Sequence, residues 1–280
     1  MQKTSKWQCR ISPTLGGGFD GTPNDCWGTE DYVSDEKPTL FFGLYGFPDF
    51  ISLWKHKGKK AILWCGSDIQ YFLNGYWLDK EGKMRLRPFE LAPYIDTYCE
   101  NYVENEKEQS SLRSVGIRSK VIPSFLGDVK KYKIEFKPGN KLYTSVSGND
   151  FELYGWDKIP ELAYNNPDIE FHLYGNTEPC LCINMIELPN IIVHGRVPME
   201  QMNEEIKEMQ GALRLTEFDG FSEIIAKSVL MGQWPVSLIE YPNMLKLSEI
   251  RQILEKKEPN IQGREYYLEK LNKYIWNTNI

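Results

Sequence analysis

The sequence predicts an α/β protein with two open parallel sheets, one after the other along the chain. Short apolar runs alternate with helical patterns from about residue 38 onward, and glycine or small polar residues follow most of the apolar runs. This alternation is typical of parallel strands joined by crossover helices. A chain of 280 residues with 41% hydrophobic residues can form two domains, each with its own core.

The first half begins with a stretch rich in Gly, Pro, Asn and Asp, which predicts a loop or a short hairpin over residues 1–37. Strands and helices then alternate because apolar runs and capping signals alternate. The predicted strands are Leu40–Gly43, Lys60–Cys65, Thr97–Val103 and Ser119–Ile122, and the predicted helices are Pro48–Lys57, Ile69–Leu73 and Glu104–Val115. We expect these elements to form a first domain over residues 1–126.

A polar, lysine-rich stretch with Pro138-Gly139 predicts a linker over residues 127–140. A second domain over 141–262 follows, and a C-terminal helix within 263–280 could pack back toward the first domain. The predicted strands are Lys141–Val146, Ile169–Tyr174, Asn190–His194, Ala212–Leu215 and Trp234–Leu238, and the predicted helices are Gly155–Asn166, Pro198–Met209, Gly220–Met231, Ser248–Lys257 and Arg264–Trp276.

Composition excludes several classes of function. A net charge of −6 argues against a nucleic-acid binder, which needs a basic stripe. The sequence has no apolar run of membrane-spanning length and no secretory signal pattern, so we expect a cytoplasmic protein. The six cysteines lack the usual spacing of metal ligands and only three His are present, so we expect no metal site.

Ligands of open parallel sheets bind beyond the carboxyl ends of the strands. The most specific strand end is Thr216–Ser222, where Asp219-Gly220 forms a turn before a predicted helix. Backbone N–H groups at such a helix start suit a diphosphate, and the Asp219 carboxylate could accept hydrogen bonds from sugar hydroxyls. Alternatively, Asp219 only caps that helix.

A family resemblance rests on several of these segments. Asn190–Val236 has a strand ending at Gly195, a helix, a second strand, the turn Asp219–Ser222 and then Gly232–Val236. This stretch resembles the donor-binding half of GT-B glycosyltransferases of the retaining, glycogen-synthase-like superfamily. In the same half, Tyr154–Lys158 and Phe171–Gly175 also resemble segments of that family, and Ile62–Asp68 is a thinner match in the first half.

The resemblance implies two Rossmann-like domains facing a cleft, here with a shortened N-terminal domain. It also implies a metal-independent, retaining transfer of a sugar from a nucleotide-diphosphate-sugar to a glycan or lipid-linked acceptor, with the nucleotide-sugar as co-substrate and no cofactor. Asp68 and Asp219 would be catalytic, Ser67 would lie near the acceptor, and Arg214 or Arg196 would neutralise the diphosphate. The implied donor-binding residues are Gly148, Lys158, Gly175, Gly195, Arg196, Arg214, Thr216, Glu217, Gly220, Phe221, Ser222 and Glu223.

The sequence also departs from the family pattern. The family usually has a second carboxylate eight positions after the first, and here that position is Lys227, which could bind phosphate, pair with an acidic neighbour or lie on the surface. The opening strand with its glycine-rich loop is not recognisable. A degenerate glycan- or partner-binding module, an epimerase and a phosphorylase are therefore alternatives. The aromatic and basic segment Tyr71–Arg87 could touch a lipid-linked acceptor at a membrane, or could be a solvated loop.

Overall fold

The computed structural model describes residues 6–15, 19, 21–74, 87–146, 151–176 and 188–277. The chain forms two compact units. The first unit consists of Met1–Asp128, Phe218–Phe221 and Lys270–Ile280, and the second consists of Val129–Glu217 and Ser222–Glu269. The short segment Phe218–Phe221 therefore belongs to the first unit although its neighbours in sequence belong to the second.

Six strands form the sheet of the first unit. They are β1 (Gln8–Ile11), β2 (Glu30–Asp31), β3 (Thr39–Phe42), β4 (Lys60–Leu63), β5 (Cys99–Val103) and β6 (Lys120–Val121). Their order is β2-β1-β3-β4-β5-β6, and every pairing is parallel. The helices described in this unit are α1 (Pro23–Trp27), α2 (Phe47–Lys55), α3 (Ser67–Leu73), α4 (Pro88–Tyr98) and α5 (Glu106–Ser114).

The prediction of a loop or hairpin over residues 1–37 is wrong. This stretch contains β1, which lies inside the sheet and pairs in parallel with both β2 and β3. The opening strand is therefore present. Its sequence signal is weak because Gln8 is fully buried yet polar, and its side-chain amide satisfies backbone groups of Val33 and Ser34.

The alternation of side chains along β3 and β4 places apolar residues on both faces of this sheet. Phe41 and Ile62 belong to one core cluster, whereas Phe42 and Leu63 belong to another. The period of two along a strand produces this division. The second cluster also includes Tyr274 and Trp276, from the C-terminal segment that belongs to this unit.

In the second unit, the described residues form a second sheet of six strands. They are β7 (Lys141–Ser145), β8 (Glu170–Tyr174), β9 (Ile191–Gly195), β10 (Gly211–Arg214), β11 (Val236–Ser237) and β12 (Leu245–Lys246). Their order is β12-β11-β10-β7-β8-β9, again with parallel pairings. The described α-helices that begin in this unit are α6 (Ile159–Asn165), α7 (Met199–Glu205), α8 (Glu223–Leu230) and α9 (Ile261–Lys270). A 3₁₀ helix covers Leu247–Glu255.

Two predicted helix boundaries and one predicted strand start are wrong. Helix α8 begins at Glu223 rather than Gly220, with Ser222 as its N-cap residue. Helix α9 ends at Lys270, whereas the prediction extended this helix to Trp276. Helix α4, which the sequence analysis left unassigned, ends at Tyr98 and displaces the start of β5 from Thr97 to Cys99. An internal proline, Pro93, explains why the pattern of α4 did not predict a helix.

Candidate functional site

Three loops of the first unit follow neighbouring parallel strands and so emerge at the same edge of the sheet. They begin at Gly43 after β3, at Trp64 after β4 and at Glu104 after β5. The carboxyl edge of an open parallel sheet is the usual place for ligands. The segment Phe218–Phe221 lies in the same unit and contacts two of these loops.

Asp68 is fully buried near the start of α3 and ties two of the loops together. Its Oδ2 accepts a hydrogen bond from the Leu44 N–H at 2.9 Å, and its Oδ1 accepts one from the Cys65 N–H at 2.9 Å. Burial raises the pKa of Asp68 to about 6, whereas the backbone hydrogen bonds act to lower it. In this structure Asp68 shapes the loop that carries Ser67, and its role at a reaction centre stays a prediction.

Ser67 presents a half-buried hydroxyl at the same edge. Its Oγ donates to the Tyr45 hydroxyl at 3.4 Å, and Tyr45 itself is buried. Burial is the main cause that raises the pKa of the Tyr45 phenol, so this group stays protonated and can donate a hydrogen bond. The two hydroxyls form a small polar surface next to the loops after β3 and β4.

Side chains of the first unit bind the main chain of the turn Asp219–Phe221. Asn105 Nδ2 donates to the Asp219 carbonyl at 2.9 Å, and the Phe221 N–H donates to Glu104 Oε2 at 2.8 Å. The backbone of Gly66 packs closely on the turn, since a Cβ at Gly66 would lie 2.6 Å from the Asp219 carbonyl carbon. The helix start predicted at Gly220 is therefore wrong, because α8 begins at Glu223 and the Phe221 N–H is already bonded, whereas the diphosphate site near this turn stays a prediction.

Glu104 is a residue of this edge that the sequence analysis did not select. It is 8% exposed, and its Oε1 also accepts a hydrogen bond from the Ser124 N–H at 3.2 Å. Burial raises the pKa of Glu104 to about 8, although the bonds from Ser124 and Phe221 act in the opposite direction. A usable signal was present, because Asn105 and Glu108 form a capping box at the start of α5, which marks Glu104 as the residue between the end of β5 and the N-cap.

The raised pKa of Glu104 gives a pH dependence with a definite sign. Between its ordinary value of 4.5 and about 8, the folded chain holds a proton that the unfolded chain has lost, so the free energy of unfolding falls as the pH rises through this range. We expect the urea midpoint of the wild type to drop from about pH 5 to about pH 8, and Glu104→Gln to weaken this drop.

Asp68 and Glu108 titrate in the same direction because burial raises the pKa of each. Both remain in the Glu104→Gln variant, so the comparison with the wild type isolates Glu104 and its Coulombic effect on Glu108. Equal pH dependence of the two proteins would contradict the raised pKa of Glu104.

In the second unit, the strand order reverses between β7 and β10. From β7 the chain adds β8 and β9 on one side of the sheet, and then β10 to β12 on the other. Such a switch point opens a crevice at the carboxyl ends of the two central strands. Arg214 is the last residue of β10, and Thr216 follows two residues later, so the structure places both predicted donor residues at this crevice.

Arg214 is 9% exposed, and its guanidinium carbon lies 4.6 Å from the centre of the Tyr154 ring. A cation above an aromatic face is stabilised by the ring quadrupole, which helps to keep a buried charge. The Thr216 Oγ1 is also buried, and no residue within the described ranges forms a hydrogen bond with it. A cation and an unsatisfied hydroxyl thus lie near the switch point.

Lys158 and Glu217 form an ion pair, with Nζ and Oε1 3.2 Å apart. Lys158 is half-buried and Glu217 is exposed, so a ligand phosphate could compete with Glu217 for the ammonium group. Ser222 and Glu223 are half-buried at the start of α8. Of these four predicted residues, Glu217 follows β10, Ser222 and Glu223 lie at the start of α8, and Lys158 directly precedes α6.

The remaining donor-binding predictions lie at or just after the ends of β8 and β9, or outside the described residues. Gly175 follows β8 with a φ of 138°, and a Cβ there would lie 2.5 Å from Val146 Cγ1. The close approach of the segments after β7 and β8 therefore requires glycine. Gly195 ends β9, and the exposed Arg196 follows it, two strands away from β7 within this sheet. Gly148 lies outside the described residues.

Lys227 is buried rather than on the surface. Its Nζ donates to Asn203 Oδ1 at 3.1 Å, which joins α8 to α7. The position where the family usually has its second carboxylate therefore carries a cation inside the second unit. Of the three options left open by the sequence, a solvated surface lysine is wrong.

No group of three or more His, Cys, Asp or Glu side chains within the described ranges could hold a metal ion. Among the same residues, no helix is both long and apolar enough to cross a membrane. The predicted membrane-facing segment Tyr71–Arg87 lies mostly outside the described residues.

No family model matches the sequence, and no curated protein matches it. Several solved structures are similar in fold. Sucrose-phosphate synthase from Thermosynechococcus elongatus has a TM-score of 0.59 and 10% identity over 83% of this chain and 69% of its own. A variant of S. aureus TarM, in complex with fondaparinux, α-GlcNAc-glycerol and UDP, has a TM-score of 0.57 and 14% identity over 85% of this chain and 53% of its own.

HepE from Anabaena, in complex with UDP and glucose, has a TM-score of 0.55 and 12% identity over 95% of both chains. The present chain thus spans about half the length of TarM and nearly all of HepE. With 10–14% identity, the similarity is one of fold. Together with the two parallel six-stranded sheets, it confirms the predicted α/β fold of the GT-B class.

Proposed function

We propose that this chain is a glycosyltransferase that transfers a sugar from a nucleotide-diphosphate-sugar to a glycan or lipid-linked acceptor. The observation that carries the proposal is the buried Arg214 at the switch point of the second sheet. A guanidinium at this place suits the diphosphate of a nucleotide-sugar, because it offers several N–H donors to phosphate oxygens. The fold supports the proposal, since TarM and HepE structures of similar fold contain UDP.

Glycosyl transfer requires a group that stabilises the departing diphosphate and a site that stabilises the oxocarbenium-like sugar. We assign the first task to Arg214, with Arg196 as the alternative, and propose Lys158, Thr216 and Glu217 as further donor contacts. Because α8 begins at Glu223 rather than at Gly220, we propose these side chains as the main phosphate ligands. No bound metal takes part in the proposed mechanism.

The second task falls to Asp219, whose carboxylate would accept hydrogen bonds from hydroxyls of the donor sugar. The half-buried hydroxyl of Ser67, supported by Tyr45, is the proposed contact of the acceptor. The carboxylate of Asp68 accepts backbone N–H groups from the loops after β3 and β4, so we propose that it acts by holding Ser67 in place. We further propose retention of configuration at the anomeric carbon.

A calorimetric titration of the wild type with UDP, GDP and their glucose and N-acetylglucosamine conjugates tests the proposal. We expect saturable binding of one nucleotide and slow release of that nucleotide from its sugar conjugate by hydrolysis or transfer. NMR of the first sugar product then gives the anomeric configuration. Binding with no turnover would favour a second candidate function, and no binding at all would contradict the proposed donor site.

The second candidate is a catalytically degenerate module that binds a glycan or a protein partner. One observation favours it: Lys227 stands where the family usually has a second carboxylate, and its buried Nζ is bonded to Asn203. A buried cation at this position cannot accept hydrogen bonds from a ribose. Lys227→Glu would place a carboxylate at the family's usual position, but this carboxylate would be buried beside Asn203 in place of the lysine cation.

A further inference from the structure

Two consecutive residues of the first unit, Glu104 and Asn105, bind the main chain of the turn Asp219–Phe221. The Phe221 N–H donates to Glu104 Oε2 at 2.8 Å, and Asn105 Nδ2 donates to the Asp219 carbonyl at 2.9 Å. The other carboxylate oxygen of Glu104 accepts the Ser124 N–H at 3.2 Å. Each carboxylate oxygen of Glu104 thus accepts one backbone N–H, and the residue is 8% exposed.

We propose that Glu104 and Asn105 are positioning residues, which fix the main chain on either side of Gly220 and thereby orient the Asp219 carboxylate toward the donor sugar. This inference rests on the proposed function for the role of Asp219, but the contacts themselves do not. The bonds from Asn105 and to Glu104 restrain the main chain before and after Gly220, and a Glu104 carboxyl accepts the Phe221 N–H whether it is ionised or protonated.

Gly220 supplies a second, steric observation. A Cβ at Gly220 would overlap with Glu104 Oε2, and no left-handed φ is recorded for this glycine. Space, rather than backbone conformation, therefore excludes a larger residue at this position. The glycine of the turn and the carboxylate of Glu104 fit each other as a pair.

This pairing makes the structural part of the proposal testable without any activity. A cycle of wild type, Glu104→Ala, Gly220→Ala and the double variant is compared by urea unfolding. Gly220→Ala should lower the midpoint in the wild type, because the methyl group displaces the carboxylate. In the Glu104→Ala background, the same methyl group has room and the midpoint should fall much less. Additive shifts of the midpoint would overturn the pairing.

Variants of Asn105 test the positioning role, because the two ends of its side-chain amide have different partners. Its Oδ1 accepts the Glu108 N–H at 2.9 Å as the N-cap of α5, whereas its Nδ2 binds the Asp219 carbonyl. Asn105→Ser keeps an N-cap hydroxyl and removes the donor to the turn. Asn105→Asp keeps the size and the cap and also removes that donor. Both variants should stay folded with a lower urea midpoint than the wild type, because each leaves the Asp219 carbonyl without this donor.

With the donor nucleotide-sugar as substrate, we expect both Asn105 variants to lower kcat by about 10- to 100-fold, since small misplacements of a reacting group have effects of this size. The KM for the donor should stay within about twofold, because the proposed phosphate contacts lie elsewhere in the chain. Unchanged kcat in both variants would overturn the positioning role. The control is Asn140→Ser, which removes an exposed amide bond to the Asp168 carbonyl and should change neither parameter.

The two proposals fail in different ways. A wild-type protein that binds and turns over no nucleotide-sugar contradicts the proposed function, while the unfolding cycle of Glu104 and Gly220 still reports whether the turn is held as described. A wild type that transfers sugar, combined with additive midpoint shifts and unchanged kcat in the Asn105 variants, contradicts the positioning role alone.

Discussion

Asp219→Ala is expected to abolish most sugar transfer while the protein stays folded. A carboxylate that is correctly placed stabilises the developing positive charge on the sugar, and loss of one such electrostatic group typically lowers kcat by about 100- to 1000-fold. Asp219 is only half-buried, and the bond from Asn105 is to its backbone carbonyl, so alanine retains this bond. The unfolding midpoint should therefore change little.

Initial rates with the nucleotide-sugar identified by calorimetry provide the measurement. Asp219→Asn serves as the isosteric variant and should be nearly as inactive, because it keeps the shape and removes the charge. Asp157→Asn serves as the control, since Asp157 is an exposed carboxylate in a 3₁₀ helix of the second unit. Turnover of Asp219→Ala at the wild-type rate would remove Asp219 from the mechanism.

Strands with a continuous apolar run could be predicted from the sequence, whereas the four-residue strand β1, which contains Gln8 and Arg10, could not. Leu40–Gly43 and Lys60–Cys65 were predicted to within two residues of β3 and β4, because each has a continuous apolar run. The strand β1 was missed because Arg10 and Gln8 interrupt its pattern. Arg10 is compensated by an ion pair with Asp49 at 2.7 Å, a contact between residues 39 positions apart that no local pattern reveals.

The same limit applies to the candidate site. Arg214 and Thr216 could be predicted because a strand end is visible in the sequence, and the sheet order then places it at a switch point. The helix start at Gly220 was predicted wrongly, since Glu104 and Asn105, more than 110 positions earlier, form hydrogen bonds with the main chain of the turn. Local capping rules favour Gly220 or Asp219, whereas these long-range hydrogen bonds delay the helix to Glu223.

Arg214→Ala is expected to weaken binding of the donor nucleotide by about 10- to 100-fold, the range that corresponds to loss of a hydrogen bond to a charged group. The effect should be larger for UDP or GDP than for the free nucleoside, because the guanidinium is proposed to contact the diphosphate. Calorimetric titration of both ligands into wild type and variant measures this difference. Arg251→Ala is the matched control, since Arg251 forms an exposed ion pair with Asp168 at 2.8 Å in the same unit.

Because Arg214 is buried against Tyr154, its truncation could also loosen the strand end. Arg214→Met separates the two effects, because it keeps an apolar stem beside the ring and removes the charge. Weak binding in both variants, with Arg214→Met unfolding at the wild-type midpoint, assigns the lost affinity to the charge. Wild-type affinity in both variants would instead move the diphosphate contact to Arg196, which lies at the end of β9 and not at the switch point. The donor would then bind away from the crevice that the strand order creates, and the argument from the switch point would fail with it.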